Sequence, residues 1–71
     1  MDDALFSQLV EWRLAEARER SVPAYVVFTD ATLMALAERR PTTRQELLQI
    51  SGIGAQKLEL YGDALLALLN D

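Results

Sequence analysis

The sequence of 71 residues contains no histidine and no cysteine. Their absence removes the commonest general base, the thiol nucleophile, the usual zinc ligands and any disulfide bond. Long hydrophobic runs are also missing, so no segment has the apolar length of a membrane span. The N-terminal residues are acidic, where a secretory signal would be basic. We therefore expect a cytoplasmic protein without catalytic residues, a metal site or a cofactor of its own.

Positive charge is scarce as well. Seven basic residues stand against eleven acidic ones, and the formal net charge is −4, which opposes strong non-specific attraction to a polyanion. The hydrophobic fraction of 51% and the charged fraction of 25% are those of an ordinary globular protein. A chain of this length has a marginal core. We predict a single domain over residues 1–71 that is monomeric in isolation.

Apolar residues recur at helical spacing in most of the chain, which predicts an all-α fold. We expect a first amphipathic helix from about Asp3 to Arg20, and Pro23 prevents its continuation. Thr29 or Asp30 can cap a second helix, which ends before Pro41.

Two further helices are expected in the second half of the chain. Thr43 stands three residues before Glu46, the spacing of a capping box. It should open a short helix that carries Leu47, Leu48 and Ile50. The last helix is expected over about residues 55–69. The side chains that we expect to share one core are those of Trp12, Phe28, Leu33, Leu36, Ile53, Leu58 and Leu65.

The segment Tyr25-Val26-Val27-Phe28 has the β-branched and aromatic composition of a buried strand. The chain offers no second strand to pair with it, so we interpret the segment as a short helical turn or an extended connector between the two long helices. We expect Val27 and Phe28 to be mostly buried. Tyr25 should lie half exposed, with its hydroxyl in water.

Two blocks of the sequence resemble the HRDC domain, the helical module at the C-terminus of RecQ-type DNA helicases and of RNase D. They are P-x-Y-V-V-F-x-D-A-T-L at residues 23–33 and G-I-G-x-x-K-x-x-x-Y-G at residues 52–62, and the first is more similar to the RecQ branch. The resemblance covers residues 5–69. It implies a compact five-helix bundle with a helix-hairpin-helix-like C-terminal pair and no catalytic centre.

The resemblance also implies a parent protein and a role. The chain would be a domain excised from the C-terminal region of an ATP-dependent DNA helicase, whose motor would hold ATP and magnesium and bring the domain to the nucleoid. There it would act in DNA repair or recombination, by weak contact with single-stranded DNA or by docking on another protein or domain. The RNase D branch leaves an alternative, an RNA-binding accessory domain of an exonuclease.

Tyr25 is the sharpest nucleic-acid candidate. In RecQ-type HRDC domains the aromatic residue at this position can stack on an unpaired base, although the ring could equally cover the core. Gly52 and Gly54 precede a helix, as in helix-hairpin-helix proteins whose backbone amides hold a phosphate, but glycines there can also serve only to turn the chain. The basic residues that could accompany the ring are Arg20, Arg39, Arg40, Arg44 and Lys57.

The first helix departs from the DNA-binding pattern of the family. Val10, Glu11 and Leu14 stand where DNA-binding members often carry lysines and arginines. Val10 and Leu14 either form a small docking stripe for a partner protein or pack beneath the N-terminal tail or the last helix. Because the chain is acidic, we favour docking slightly over DNA contact and expect single-stranded DNA to bind weakly.

Overall fold

The computed structural model describes residues 2–71, which form five helices and no strand. The helices are α1 (Asp3–Arg20), α2 (Ala24–Val27), α3 (Asp30–Arg39), α4 (Arg44–Leu47) and α5 (Ala55–Asn70). The predicted all-α class is confirmed, and so are the bounds of the two long helices in the first half. Within the described residues, no helix is both long enough and apolar enough to cross a membrane.

Three helices begin at polar caps. Asp2, Thr29 and Thr43 each accept a hydrogen bond from the backbone amide three residues further on, over 3.0–3.3 Å. Each bond satisfies an amide that has no partner inside the first turn. Local side-chain chemistry therefore sets where α1, α3 and α4 begin.

Helix α4 is shorter than the sequence indicates. It ends at Leu47, and Ile50 lies in the turn that follows. The amide of Ile50 donates to the Leu47 carbonyl oxygen at 3.0 Å. This early turn lets Ile50 and Ile53 both reach the core, where they are 3% and 4% exposed. The Glu46 carboxylate accepts from the amide and hydroxyl of Thr42, at 2.7 and 2.9 Å, one residue before the cap residue Thr43.

The core lies between α1, α3 and α5, with α2 closing one side and α4 another. Of the predicted core, five side chains are buried, namely Phe28, Leu33, Leu36, Ile53 and Leu65, whereas Trp12 and Leu58 are only partly buried. Trp12 still contributes, because its ring centroid lies 6.1 Å from that of Phe28 and 5.4 Å from that of Tyr61. Arg20 covers the Tyr61 ring at 5.0 Å.

Candidate nucleic-acid and partner interface

Helix α2 is a single turn that carries Tyr25 to the surface. Val27 and Phe28 are buried, as predicted, at 1% and 2% exposure. Tyr25 is 69% exposed and Val26 is 45% exposed. The helical turn explains the division, because residues three and four apart share a face and the partly buried Ala24 therefore points inward with Val27 and Phe28. The Tyr25 ring is thus more exposed than the half exposure expected.

Two clefts border the Tyr25 ring. One, of about 270 Å³, lies between α2, α3 and the loop of residues 48–54. Its lining includes Tyr25, Thr29, Thr32, Ser51, Gly52 and Lys57. The other, of about 500 Å³, includes Arg13 and Asp30 beside the ring. The first cleft brings together Tyr25 from one sequence block with Gly52 and Lys57 from the other.

The Lys57 ammonium is bound by backbone carbonyl groups of the domain. It donates to the carbonyl oxygen of Val26 at 2.7 Å and also to that of Val27. It lies 4.9 Å from the centre of the Phe28 ring, and burial lowers the pKa of the Lys57 ammonium. The ammonium of Lys57 is therefore neither fully solvated nor free to pair with a phosphate.

Arg13 is a cleft residue that the sequence analysis missed. Its Nη1 donates to the Phe28 carbonyl oxygen at 3.0 Å, and its Nη2 lies 2.8 Å from a carboxylate oxygen of Asp30. The side chain is only 12% exposed. The helical spacing of α1 indicates this inward position, because Arg13 stands four residues after Leu9 and four before Ala17, which are both buried. A charged residue on the buried arc of a helix needs a partner.

Arg44 is neutralised by acids of α5. It lies 2.9 Å from Asp63 and 3.8 Å from Glu59. Its guanidinium also packs over Gly62, where an added Cβ would meet Arg44 Nη1 at 3.0 Å. Because Gly62 has no side chain, Arg44 and Leu58 can both pack closely against this point of α5.

The other predicted arginines differ in their pairing. Arg20 lies 3.6 Å from Glu16, and Arg40 lies 3.2 Å from Asp2. Within residues 2–71, Arg39 makes no ion pair, and none of these three arginines lines either cleft at Tyr25. Of the five predicted basic residues, the structure therefore places only Lys57 in a cleft beside the ring.

The two glycines before α5 have different conformations. Gly52 has φ +99, which side-chain-bearing residues rarely adopt, and an added Cβ would collide with Thr32 Oγ1. Gly54 is extended, caps α5 and has no atom within 4 Å of an added Cβ. Gly52 is thus required for the turn that buries Ile53, and phosphate binding at either glycine stays a prediction.

The docking candidates on α1 are also unlike each other. Val10 is partly buried and packs against the core, whereas Leu14 is 44% exposed. They do not form one exposed stripe. Leu14 alone is left as an accessible apolar side chain of that pair.

Comparisons with known proteins identify relatives of this chain. The family model of the HRDC domain matches residues 2–69. The chain is 55% identical over 69 residues to the ATP-dependent DNA helicase UvrD2 of Mycobacterium tuberculosis strain H37Rv, covering 97% of this chain and 10% of that protein. It is 41% identical over 70 residues to the ATP-dependent DNA helicase RecQ of Haemophilus influenzae, covering 99% and 11%. It thus spans about a tenth of the length of these helicases.

A solved structure has the same fold. It is described as D. radiodurans RecQ HRDC domain 3, and it superposes with a TM-score of 0.88 and 42% sequence identity. The match covers 93% of this chain and 87% of that one. The five-helix bundle that the family resemblance implies therefore has a counterpart among solved structures.

Proposed function

The chain belongs to the HRDC domain family, and we propose that it is a docking module of an ATP-dependent DNA helicase. Its contact surface is formed by Tyr25, Val26 and the two clefts beside them, called here the Tyr25 surface. The helicases that it resembles support a helicase as the parent over an RNase D-like exonuclease. The domain would hold another protein, or another domain of the same helicase, in position.

The charge around Tyr25 carries this proposal. The two clefts contain one lysine and one arginine, and both are already bound to groups of the domain. A nucleic-acid surface gains its affinity by neutralising phosphates with cations that are free to pair. An exposed aromatic ring beside an exposed valine, with no free cation, is closer to the composition of a protein interface.

The rest of the basic residues support the same conclusion. Four of the seven basic residues form ion pairs, namely Arg13, Arg20, Arg40 and Arg44. Lys57 is held by carbonyl oxygens. An exposed ion pair is worth up to about 1 kcal/mol, and that free energy is lost when a phosphate replaces the carboxylate. A paired arginine therefore adds less to affinity than a solvated one does. Few cations of the described residues therefore remain available to a polyanion.

Hydrogen exchange in the whole helicase tests the proposal. If the Tyr25 surface docks on another domain, peptides that cover α2 exchange more slowly in the full helicase than in the 71-residue chain, without DNA present. Tyr25→Ala abolishes that protection, because it removes the most exposed apolar ring of the surface. Leu60→Ala is the matched control, since Leu60 is also exposed, at 46%, but lies on α5.

The other outcomes separate the alternatives. Protection of α2 that develops only after a single-stranded oligonucleotide is added would show DNA contact in place of docking between domains. Protection on addition of a second protein would show docking between molecules. Equal exchange in every state would show that the domain is a spacer and would overturn the proposal.

Weak single-stranded DNA binding is the second candidate function. The observation that favours it is the 69% exposure of Tyr25, which leaves an aromatic ring accessible to an unpaired base. Stacking of a base on an aromatic ring contributes about 1–3 kcal/mol without requiring a particular sequence. We expect fluorescence anisotropy of a labelled oligothymidine to show weak or undetectable binding at physiological salt. Binding that stays tight at that salt concentration and is lost in Tyr25→Ala would favour DNA contact over docking.

A further inference from the structure

Three consecutive carbonyl oxygens at the end of α2 are bound by basic side chains from two other helices. Lys57 of α5 donates to the carbonyl oxygens of Val26 and Val27, the first at 2.7 Å. Arg13 of α1 donates to the next carbonyl oxygen, that of Phe28, at 3.0 Å. The last carbonyl groups of a helix have no partner within it, so these two side chains complete the hydrogen bonding of α2 from outside.

Helix α2 has little else to hold it in one conformation. It is four residues long, and no side chain caps its N-terminus. The backbone bonds that close its turn are Val26 N to Pro23 O at 3.0 Å and Phe28 N to Ala24 O at 3.3 Å. A single helical turn is not stable by itself, because fixing its backbone costs more than one or two hydrogen bonds return. Its position must therefore come from tertiary contacts.

Both basic side chains are themselves anchored. The Arg13 guanidinium is held by Asp30 at 2.8 Å and is 12% exposed. Lys57 lies over the ring of Phe28. Because one side chain comes from α1 and the other from α5, they hold α2 from two separate helices. Removing either one leaves a carbonyl group at the C-terminal end of α2 without its partner, which favours opening of the turn.

We propose that Arg13 and Lys57 are positioning residues that hold α2 in the conformation presenting Tyr25. They would increase the affinity of the Tyr25 surface by removing the cost of ordering α2 when a partner binds. The inference rests on the proposed function for its consequence in binding. The pair of side chains Arg13 and Lys57 bound to the end of α2 is called here the clamp. It is a property of the free domain and can be measured without any ligand.

Amide exchange in the 71-residue chain tests the clamp directly. The variant Lys57→Met keeps the apolar stem of the side chain and removes the donor. We expect the amides of Val26 and Phe28 to exchange about tenfold faster or more, while amides in the middle of α3 keep their rates. Lys57→Arg retains a donor and should restore much of the protection. Arg18→Met is the control, because Arg18 is exposed and makes no ion pair within residues 2–71.

Two results would overturn the clamp. One is unchanged exchange in α2 of a folded Lys57→Met variant. The other is an equal increase in α2 and α3, which would mean that the substitution lowers global stability only. If Lys57→Met does not fold, Arg13→Lys decides the question. The guanidinium of Arg13 contacts the Phe28 carbonyl oxygen and Asp30 with two separate nitrogens, whereas a lysine side chain is shorter and has only one nitrogen.

A double-mutant cycle tests the effect on binding. Tyr25→Ala, Lys57→Met and the double variant are compared in the full helicase, with a labelled oligothymidine at low salt and with the α2 protection described above. If Lys57 acts through Tyr25, Lys57→Met weakens binding several-fold in the native helicase. The same substitution changes binding hardly at all in the Tyr25→Ala variant. An equal loss in both backgrounds would show a direct electrostatic role and overturn positioning. Absence of both Tyr25-dependent α2 protection and Tyr25-dependent oligothymidine binding would refute docking within the helicase and DNA contact, while the exchange result would still decide the clamp.

Discussion

The hydroxyl of Thr32 donates a hydrogen bond to the carbonyl oxygen of Ser51 across 3.0 Å, joining the first turn of α3 to the loop before α5. Thr32 is 6% exposed and is the buried polar residue of the described core. The Thr29 hydroxyl lies 3.2 Å from Thr32 Oγ1. Since Thr32 gives its proton to Ser51, Thr29 is the donor of that second bond. The hydroxyl groups of Thr29 and Thr32 thus link the first sequence block to Ser51, the residue directly before the second block.

Thr32→Val should lower the free energy of unfolding by about 1–3 kcal/mol, because valine keeps the shape and leaves the Ser51 carbonyl oxygen without its donor. Urea denaturation of the 71-residue chain measures the change. Thr32→Ser is the control, since it keeps the hydroxyl and loses only a methyl group, worth about 0.8 kcal/mol. A valine variant as stable as the native chain would show that water replaces the donor at no cost.

Gly52→Ser and Gly54→Ser make the same substitution at two nearby positions with opposite expectations. Gly52→Ser should cost about 1–3 kcal/mol, because it places a side chain at φ +99 and against Thr32. Gly54→Ser should change stability by less than about 0.5 kcal/mol or increase it, because the site is open and serine is a favoured N-cap. Thermal melts of both variants compare the two effects. Similar losses at both positions would contradict the distinction.

Leu36→Ala should cost about 2–5 kcal/mol, because Leu36 is 0% exposed in the centre of α3 and the core cannot close fully around the lost atoms. This is a large share of the stability of so small a domain. The matched control is Leu60→Ala. Leu60 is 46% exposed on α5, so its truncation should lower the free energy of unfolding by less than about 1 kcal/mol. Chemical denaturation gives both values. A loss at Leu36 no larger than that at Leu60 would place the core elsewhere.

Glu46 should make stability depend on pH. Hydrogen bonds from the amide and hydroxyl of Thr42 hold the pKa of the Glu46 carboxyl below its ordinary value. A carboxyl whose folded pKa is lowered stabilises the fold fully above its unfolded pKa, and that contribution is lost as the pH falls through the folded pKa. The melting temperatures of the native chain and of Glu46→Gln should therefore converge as the pH falls from neutral to about 3.

A direct titration checks the cause of that convergence. The carboxyl resonance of Glu46 should titrate at a higher pH in Thr42→Ala than in the native chain, because that variant removes the hydroxyl donor and keeps the amide. The same titration midpoint in both chains would show that the Thr42 hydroxyl has no part in the effect. A melting-temperature difference that stays constant over the pH range would contradict the contribution of the carboxylate itself.

Much of the fold follows from local features of the sequence. The caps at Thr29 and Thr43 act on amides three residues away, and the prolines at positions 23 and 41 restrict the backbone where they stand. The helical period places Leu33 and Leu36 on the inward face of α3, where both are fully buried. These effects act within one or two turns, so the sequence alone predicted the bounds of α1 and α3 and most of the core.

The site depended on contacts between residues far apart in the chain. Lys57 meets the carbonyl oxygen of Val26 across 31 positions, and Arg13 meets that of Phe28 across 15. Sequence patterns made Lys57 a basic residue that could accompany the Tyr25 ring and gave no role to Arg13, because a hydrophobic period does not specify which backbone groups a long charged side chain will reach. The exposure of Tyr25 likewise depends on how α2 is held against α1 and α5. Only the packed helices bring these groups within hydrogen-bonding distance, and that packing decided which cations are free to bind a ligand.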